Sequence, residues 1–227
     1  MDNILFSIVI PLYPPHFKFL DKLLKNINDF RIDDGYTIKE IVLSSSQTSD
    51  LDITCPSKYP IIIHKTMDKC NAAMNRNRGW QKVTGNWIVF LDADDYYHPD
   101  KLFITHKAIL QYPEINCIVH SYKSGKVYDT FLNKIDTYNI ISNETIFNAT
   151  FPDGKWVQAK DIPGGTNICE PAKIPISHGI VTVRRESIIR YNEKLNISED
   201  GIFCREHVLQ KKLILINAIL MIYNPSY

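Results

Sequence analysis

Residues 87–95 read WIVFLDADD, and this stretch decides the fold. Its first five side chains are all apolar, and two of them are aromatic, which is typical of a strand buried on both faces. The strand runs without a break into three acids, Asp92, Asp94 and Asp95. In an open parallel α/β sheet, ligands bind beyond the carboxyl ends of the strands. The stretch therefore predicts an α/β sheet with a functional site at one edge.

Strands and helices alternate on either side of this stretch. Three further apolar runs predict strands at residues 6–10, 39–43 and 59–64. The helical spacing of apolar side chains predicts helices at residues 17–27, 71–83 and 99–109. This alternation indicates an α/β fold with a mainly parallel sheet. We therefore expect the segments that end three of the strands to meet at one edge, namely residues 11–13, 44–50 and 92–95.

The second half of the chain is less regular. It predicts strands at residues 115–120, 126–128, 180–183, 213–216 and 218–223, and helices at residues 142–149 and 200–210. Residues 151–175 hold four prolines and three glycines, so they are predicted to form a loop. Because no linker interrupts the pattern, we predict a single domain over residues 1–227.

Composition excludes several classes of protein. The chain has 227 residues with 26 Lys and Arg against 25 Asp and Glu, and its net charge of +1 gives no electrostatic support for nucleic-acid binding. No run approaches the ~20 apolar residues of a membrane helix, and no signal peptide is visible. The five cysteines are scattered and form no C-x-x-C pair. That pattern favours a reduced, cytoplasmic protein over a zinc site or a disulfide framework.

The acidic cluster requires a physical explanation. Three carboxylates within four residues repel one another, and a bound cation would remove that repulsion. Hard oxygen ligands suit Mg²⁺ or Mn²⁺, which usually complete their coordination with water and substrate phosphates. The cluster is thus interpreted as a divalent cation site that holds a diphosphate. The alternative is a solvated acidic turn that caps the helix beginning near Pro99.

Flanking motifs make the pattern more specific. Residues 7–13 read SIVIPLY, residues 75–79 read NRNRG, and residues 85–95 read GNWIVFLDADD. In order and spacing, these stretches resemble the family 2 glycosyltransferases, whose patterns are V-S-I-V-I-P-x-Y, A-R-N-x-G and G-x-x-I-x-F-L-D-x-D-D. The resemblance implies the GT-A fold, a Rossmann-like three-layer sandwich. It also implies a nucleotide-sugar-binding half at residues 1–105 and an acceptor-binding half at residues 106–227.

The same resemblance implies roles for single residues. The nucleotide would contact Pro11, Leu12, Tyr13, Ser45, Arg76 and Asp92. Asp94 would be the principal metal ligand, with Asp92 contributing. Asn77 and Gly79 are interpreted as packing positions between the helix and the strand.

One departure from the family pattern concerns the nucleobase. After its second strand the family carries D-D-G-S-x-D, in which an Asp accepts a hydrogen bond from the uracil N3–H, whereas residues 45–50 here read SSQTSD. A serine hydroxyl still accepts such a bond, though more weakly than a carboxylate. A UDP-sugar is therefore the favoured donor, and the identity of the base stays open.

A second acidic site lies at residues 199–205, which read EDGIFCR. Taken alone, Glu199 and Asp200 indicate an acidic helix N-terminus. The family, however, carries an E-D-x-x-F-x-x-R-like motif at this distance. The resemblance implies that Asp200 is the general base and that Glu199 orients either the acceptor or Asp200. An Asp with an ordinary pKa of about 4 is ionised at pH 7, so the base requires no large upward shift. The same resemblance places His178 and Gly179 beside the acceptor.

These features together predict a metal-dependent, inverting glycosyltransferase with Mn²⁺ or Mg²⁺ as cofactor. Its partners would be a nucleotide-sugar donor and a hydroxyl on a glycan, lipid or protein, with a homo-oligomer left open and no nucleic acid or membrane span expected. One alternative is a non-catalytic relative that binds a nucleotide sugar or glycan, supported only by Ser45 and Ser46. The other is a nucleotidyltransferase, but residues 11–19 contain no glycine for its phosphate-binding loop.

Overall fold

The computed structural model describes residues 3–49, 51–150, 178–195, 199–210 and 212–223. The strands are β1 (Ile4–Leu12), β2 (Tyr36–Ser45), β3 (Ile61–Lys65), β4 (Trp87–Phe90), β5 (Tyr96–Tyr97), β6 (Cys117–Ser124), β7 (Asn139–Ile141), β8 (Thr182–Arg184) and β9 (Leu213–Tyr223). The helices are α1 (Phe17–Asn28), α2 (Ala72–Trp80), α3 (Lys101–Gln111), α4 (Asn143–Thr150) and α5 (Glu199–Leu209). None of the helices in these described ranges is long and apolar enough to cross a membrane.

The nine described strands form one sheet. Its order is β3-β2-β1-β4-β8-β6-β9-β5, and β7 pairs with β9 beside this path. β3, β2, β1 and β4 are parallel neighbours. β8 is antiparallel to both β4 and β6, and β9 is parallel to β6. Six of the described strands therefore run in one direction, with β5, β7 and β8 reversed, and the predicted α/β fold with a mainly parallel sheet is confirmed.

The centre of the sheet is covered on both faces. Ile8, Val9 and Ile10 follow one another in β1, so their side chains alternate between the two faces, and each is 0% exposed. On α1, a buried apolar stripe is formed by Leu20, Leu23, Leu24 and Ile27. This double-sided burial explains why the strand sequences read as continuous apolar runs instead of alternating with polar residues.

The carboxyl ends of three adjacent strands meet at one edge of the sheet. β2, β1 and β4 are neighbours in that order, and they end at Ser45, Leu12 and Phe90. A backbone hydrogen bond of 3.1 Å from the Ser46 N–H to the Leu12 carbonyl continues the pairing past the strand ends. The segments at these three strand ends therefore lie together, as predicted.

Several short elements differ from the prediction. Residues 126–128 form no strand, and the chain there leads into a 3-10 turn at Asp129–Leu132. The two strands expected at the carboxyl end are one strand, β9, which continues through Asn217 because that residue pairs with Asn139 of β7. β5 and β7 have two and three residues, too few for a periodic signal. The predicted loop at residues 151–175 lies outside the described residues.

A buried carboxylate joins three strands on the side away from the acidic cluster. Glu40 of β2 is 3% exposed. It accepts hydrogen bonds from the Ser7 hydroxyl of β1 and, just before β4, from the Thr84 N–H at 2.8 Å and the Thr84 hydroxyl at 2.5 Å. Gly85 allows this close approach, since a Cβ there would lie 2.5 Å from the Leu5 carbonyl oxygen. Glu40 thus ties β1, β2 and the start of β4 together.

We expect Glu40→Gln to lower the free energy of unfolding by about 2 kcal/mol at pH 7, because hydrogen bonds to a charged group are worth roughly 1.5–3 kcal/mol. Although burial by itself raises the pKa of Glu40, the hydrogen bonds from Ser7 and Thr84 hold it below the ordinary value. The stability that this carboxylate confers is therefore present above the unfolded pKa, about 4.3, and is lost as pH falls through the folded pKa. Urea titrations at several pH values measure the difference.

Glu186→Gln is the matched control, since the Glu186 side chain is 78% exposed. It should change the free energy of unfolding by less than about 0.5 kcal/mol. A loss in Glu40→Gln that is no larger than in the control at pH 7, or that grows as the solution becomes more acidic, would contradict this account of Glu40.

Candidate functional site

The acidic cluster forms a tight turn directly after β4. The Asp95 N–H donates to the Asp92 carbonyl at 3.3 Å, which closes the turn. Tyr97 of β5 anchors it, because its hydroxyl oxygen accepts a hydrogen bond from the Asp92 N–H at 2.7 Å. Tyr97 itself is fully buried. The acids are therefore presented by a turn that the core holds in place.

Arg76 of α2 connects the acidic cluster to the second acidic pair. The residue is 4% exposed. Its Nη2 lies 2.8 Å from Asp92 Oδ1, and its Nη1 lies 3.1 Å from Glu199 Oε1. The sequence predicted two separate acidic sites, and the structure joins them through one guanidinium.

A second buried basic side chain, that of Lys101, interacts electrostatically with Asp95. Lys101, at the start of α3, is 0% exposed. Its ammonium donates to the Gly179 carbonyl oxygen at 3.1 Å and contacts His120 Nε2. Burial lowers the pKa of Lys101 well below its ordinary value, and the Asp95 carboxylate opposes that effect. The acidic cluster is therefore bordered by two buried basic side chains, Arg76 and Lys101.

The surroundings of Asp94 would favour a bound cation. Burial raises its pKa and the Asp92 carboxylate raises it further, while His16 and Arg76 partly oppose the shift. The ionised carboxylate is thus disfavoured by its surroundings, and a divalent cation beside it would reverse that balance. Carboxylate oxygens are the ligands that Mg²⁺ and Mn²⁺ prefer. The two acids therefore fit the predicted divalent cation.

The ligand set suits a cation that is shared with a substrate. Within the described ranges, no three His, Cys, Asp or Glu side chains are arranged as a metal-ligand cluster. A cation bound to Asp92 and Asp94 would take its remaining ligands from water and phosphate oxygens, as Mg²⁺ commonly does. This arrangement agrees with a cation that holds a diphosphate and differs from a closed, all-protein metal cage.

A cavity of about 500 Å³ opens beside these acids. It is lined by five of the predicted residues, Pro11, Tyr13, Arg76, Asp92 and Asp94. The other two predicted nucleotide contacts, Leu12 and Ser45, are 0% exposed and do not line it. Successive side chains along a strand point to opposite faces, so the Leu12 side chain points away from those of its two neighbours and into the core.

Eight further residues line the cavity and were not predicted from the sequence: His16, Gln47, Lys69, Cys70, Asn71, Ala72, Asn75 and Tyr223. Residues 69–72 follow β3, so the rule that sites form at the carboxyl ends of parallel strands would have indicated them. Gln47 has a φ of 59°, which is uncommon for a residue other than glycine and sets the shape of the loop after β2. Tyr223 ends β9, and no local signal connects it to the site.

One serine that replaces an acid of the family pattern is bound by α2. Asn75 Nδ2 donates to Ser46 Oγ at 3.0 Å, and the same nitrogen donates to the Leu12 carbonyl at 3.0 Å. Asn75 stands where the family pattern A-R-N-x-G has alanine. The Ser46 hydroxyl in the loop after β2 is therefore held by Asn75 of α2, which also lines the cavity.

Asp200 is the second residue of α5 and is partly buried. Burial raises its pKa, and the charges of Glu199 and Asp92 raise it further. The Gly201 N–H, which donates to Asp200 Oδ1 at 2.8 Å, and the Arg76 charge oppose the shift without cancelling it. The pKa of Asp200 therefore lies above the ordinary value, because tertiary packing encloses the start of the helix. A carboxylate with a raised pKa is the stronger base at neutral pH.

Gly179 packs against the acidic cluster. A Cβ at this position would lie 2.5 Å from the Tyr97 hydroxyl oxygen and 2.9 Å from Asp95 Oδ2, so a larger residue would displace the turn. This contact brings the predicted acceptor segment to the acids. The side chain of His178 lies outside the described part of the chain, and its role stays a prediction.

Asn71, the N-cap of α2, and Asn77, within α2, hold the segment that leads to α5. Asn77 Oδ1 accepts a hydrogen bond from the Tyr191 N–H at 2.9 Å, and its Nδ2 donates to the Tyr191 carbonyl at 2.9 Å. Asn71 Nδ2 donates to the carbonyl oxygens of Glu193 at 2.8 Å and Leu195 at 3.1 Å. α2 therefore borders the cavity and also positions the chain that precedes the second acidic pair.

The two packing positions predicted in α2 have different outcomes. Gly79 packs as expected, since a Cβ there would lie 2.6 Å from Val9 Cγ1. The interpretation of Asn77 as a simple packing position is wrong, because its buried side-chain amide forms hydrogen bonds with the backbone of Tyr191, 114 residues away.

The sequence is similar to known glycosyltransferases. The family model described as Glycosyl transferase family 2 matches residues 7–166. The chain is 35% identical over 113 residues to the amylovoran biosynthesis glycosyltransferase AmsB of Erwinia amylovora, a match that covers 45% of this chain and 35% of that protein. It is 34% identical over 73 residues to an uncharacterized glycosyltransferase of Haemophilus influenzae, covering 32% of this chain and 25% of that protein. The matched region thus spans about a third of one curated relative and a quarter of the other.

Solved structures share the fold. S. aureus TarS 1–349 in complex with UDP-GlcNAc superposes with a TM-score of 0.64 at 13% identity, covering 98% of this chain and 58% of that chain. The same protein in complex with UDP superposes with a TM-score of 0.64 at 14% identity, covering 97% and 60%. At such low identity the likeness concerns the fold alone, and it confirms the predicted GT-A architecture.

We expect Asn77→Ala to lower the free energy of unfolding by about 2 kcal/mol, because each buried backbone group left without a partner costs roughly 1–3 kcal/mol. Amide hydrogen exchange at residues 188–195 should become faster while β1 keeps its protection, since the lost bonds belong to that segment. Lys194→Ala, in the same segment but at an exposed residue, is the control and should change neither quantity. Equal effects of the two substitutions would contradict a positioning role for Asn77.

Proposed function

Because the chain belongs to glycosyl transferase family 2, we propose that it transfers a sugar from a nucleotide-diphosphate sugar to a hydroxyl group of a glycan, lipid or protein acceptor. The observation that carries this proposal is the bridge made by Arg76, which contacts Asp92 at 2.8 Å and Glu199 at 3.1 Å. Acids suited to a cation and a diphosphate are thereby held beside Asp200, the candidate base. A transfer reaction requires these two functions in one site.

The donor is proposed to bind in the cavity beside β1. A volume of about 500 Å³ is within the usual range for a small-molecule site. Tyr13 is 40% exposed at this cavity, and an aromatic face of this kind stacks well on a base or a sugar. A UDP-sugar is the first donor to test, since TarS, which shares the fold, has been crystallised with UDP-GlcNAc.

Asp94 and Asp92 are proposed to hold Mn²⁺ or Mg²⁺ together with the donor diphosphate. The raised pKa of Asp94 supports this assignment, because a cation next to the carboxylate favours its ionised form. When bound, the cation supplies a Lewis acid that neutralises the charge of the departing diphosphate. Arg76 keeps the Asp92 carboxylate in a fixed direction.

Asp200 is proposed as the general base. The acceptor oxygen attacks the anomeric carbon, the bond from that carbon to the diphosphate oxygen breaks, and the hydroxyl proton passes to the Asp200 carboxylate. Attack from the face opposite the leaving group inverts the configuration at that carbon. The raised pKa of Asp200 brings its proton affinity nearer to neutral pH, where it must accept the proton. Glu199, through its contact with Arg76, holds the start of α5 in place.

UDP with Mn²⁺ is expected to raise the melting temperature, since a ligand that binds only the folded state stabilises it. Asp94→Asn should abolish the Mn²⁺-dependent part of this shift. Asp200→Asn should keep the full shift and lose about a hundredfold or more in the rate of UDP release from UDP-GlcNAc, because a general base contributes roughly 10²–10⁴-fold. GDP- and dTDP-sugars tested in parallel identify the preferred base.

Asp136→Asn is the matched control, since the Asp136 side chain is 70% exposed, and it should change neither readout. Full turnover by Asp200→Asn would remove Asp200 as the base. The absence of a shift with every nucleotide and nucleotide sugar would reject the donor site. A shift without turnover in the unaltered protein would favour the non-catalytic alternative.

A further inference from the structure

His16 lines the cavity next to the acidic turn but has no part in the predicted donor site. We propose that the His16 imidazole donates a hydrogen bond to the diphosphate of the donor, beside Asp94. This inference rests on the proposed function and assigns one more binding residue to the same site.

The backbone presents His16 from a stiff turn. Pro14–His16 form a 3-10 turn between β1 and α1, and the His16 N–H donates to the Tyr13 carbonyl at 2.8 Å. Each of the two prolines has its φ fixed at about −65°, so few backbone conformations are open to the turn. Because β1 and β4 are adjacent parallel strands, this turn lies at the same sheet edge as the acids that follow β4.

Ring packing limits the directions that the imidazole can take. The Tyr13 ring lies against it with the ring centroids 4.0 Å apart, and the Phe19 ring centroid lies 6.3 Å away. His16 is nevertheless partly exposed, so a molecule in the cavity can reach it. The imidazole is therefore oriented before any ligand arrives, which lowers the entropy that binding must overcome.

His16 and Asp94 both line the cavity of about 500 Å³, together with Asp92 and Arg76. A diphosphate held by a cation at Asp94 would therefore occupy the same cavity as the imidazole.

Few basic side chains line the described part of the cavity. Arg76 also lines it, but Nη1 and Nη2 of its guanidinium are engaged by Glu199 and Asp92. Among the described residues that line the cavity, the other basic side chains are His16 and Lys69. A phosphate group requires N–H donors to offset its charge, and His16 is the one of the two that neighbours the acidic turn.

A phosphate contact agrees with the geometry better than a role as a third metal ligand. His16, Asp92 and Asp94 line one cavity, yet the part of the chain that the structure describes holds no set of three His, Cys, Asp or Glu positioned around a metal. His16 therefore lies near the cation site without completing it. That position suits a donor to the phosphate that the cation holds.

The test compares UDP with uridine, which share the base and the ribose and differ in the diphosphate. In Mn²⁺, His16→Phe should weaken UDP binding by about tenfold, the effect of losing one hydrogen bond to a charged group, because it keeps a ring against Tyr13 but removes the N–H. Uridine binding should change by less than about twofold, because uridine makes no phosphate contact. His16→Gln, which restores an N–H donor, should recover part of the UDP affinity. Calorimetry measures UDP binding, and ligand-observed NMR measures uridine binding.

His64→Gln is the control, since His64 lies in β3 and does not line the cavity, and both affinities should stay unchanged. Equal losses for UDP and uridine in His16→Phe would overturn the proposal, because His16 would then shape the base end of the cavity. Weaker Mn²⁺ binding by His16→Phe without nucleotide would overturn it too, since His16 would then be a metal ligand. If the unaltered protein binds none of the nucleotides and nucleotide sugars, the proposed function fails. That result differs from UDP binding that His16→Phe leaves intact, which rejects the role of His16 alone.

Discussion

Arg76 holds the two acidic segments together through one buried guanidinium. Asp92 lies 16 residues away along the chain and Glu199 lies 123 residues away, and both carboxylates contact the same group. A buried ion pair stabilises the folded protein little more than apolar packing would. Removing one partner nevertheless lowers the stability by roughly 3–5 kcal/mol. Without Arg76, two partly buried carboxylates would face each other with no shared cation. The proposed donor site and the proposed base therefore depend on this residue for their relative position.

The same balance of charge explains how three acids can be packed at one sheet edge. Arg76 pairs with Asp92, and the basic side chain of Lys101 is buried where it interacts with Asp95. Burial and the neighbouring Asp92 carboxylate raise the pKa of Asp94. A bound cation stabilises the ionised form of such a carboxylate. Arg76 thus neutralises one border of the cluster, and Asp94 in the middle is suited to a divalent cation.

The ends of the central strands could be predicted because strands buried on both faces leave continuous apolar runs in the sequence. The position of Asp92 and Asp94 at the sheet edge followed from the run at residues 87–91 alone. Tyr97 and Lys101 carried no such signal. Tyr97 belongs to a two-residue strand, and a lysine at the start of a helix is ordinarily exposed. Their burial depends on contacts with elements from other parts of the chain, which no local pattern contains.

The sequence by itself determined the α/β class, the placement of the acids at strand ends and the family pattern, because these features depend on residues that are near one another in the chain. Only the tertiary structure decided that Arg76 serves both acidic sites, that Gly179 packs on Asp95, and that His16 borders the cavity. The physical reason is the range of the interactions. Strand burial is set by local runs of side chains, whereas ion pairs and cavity walls form between segments up to 123 residues apart, whose approach depends on the packing of the whole sheet.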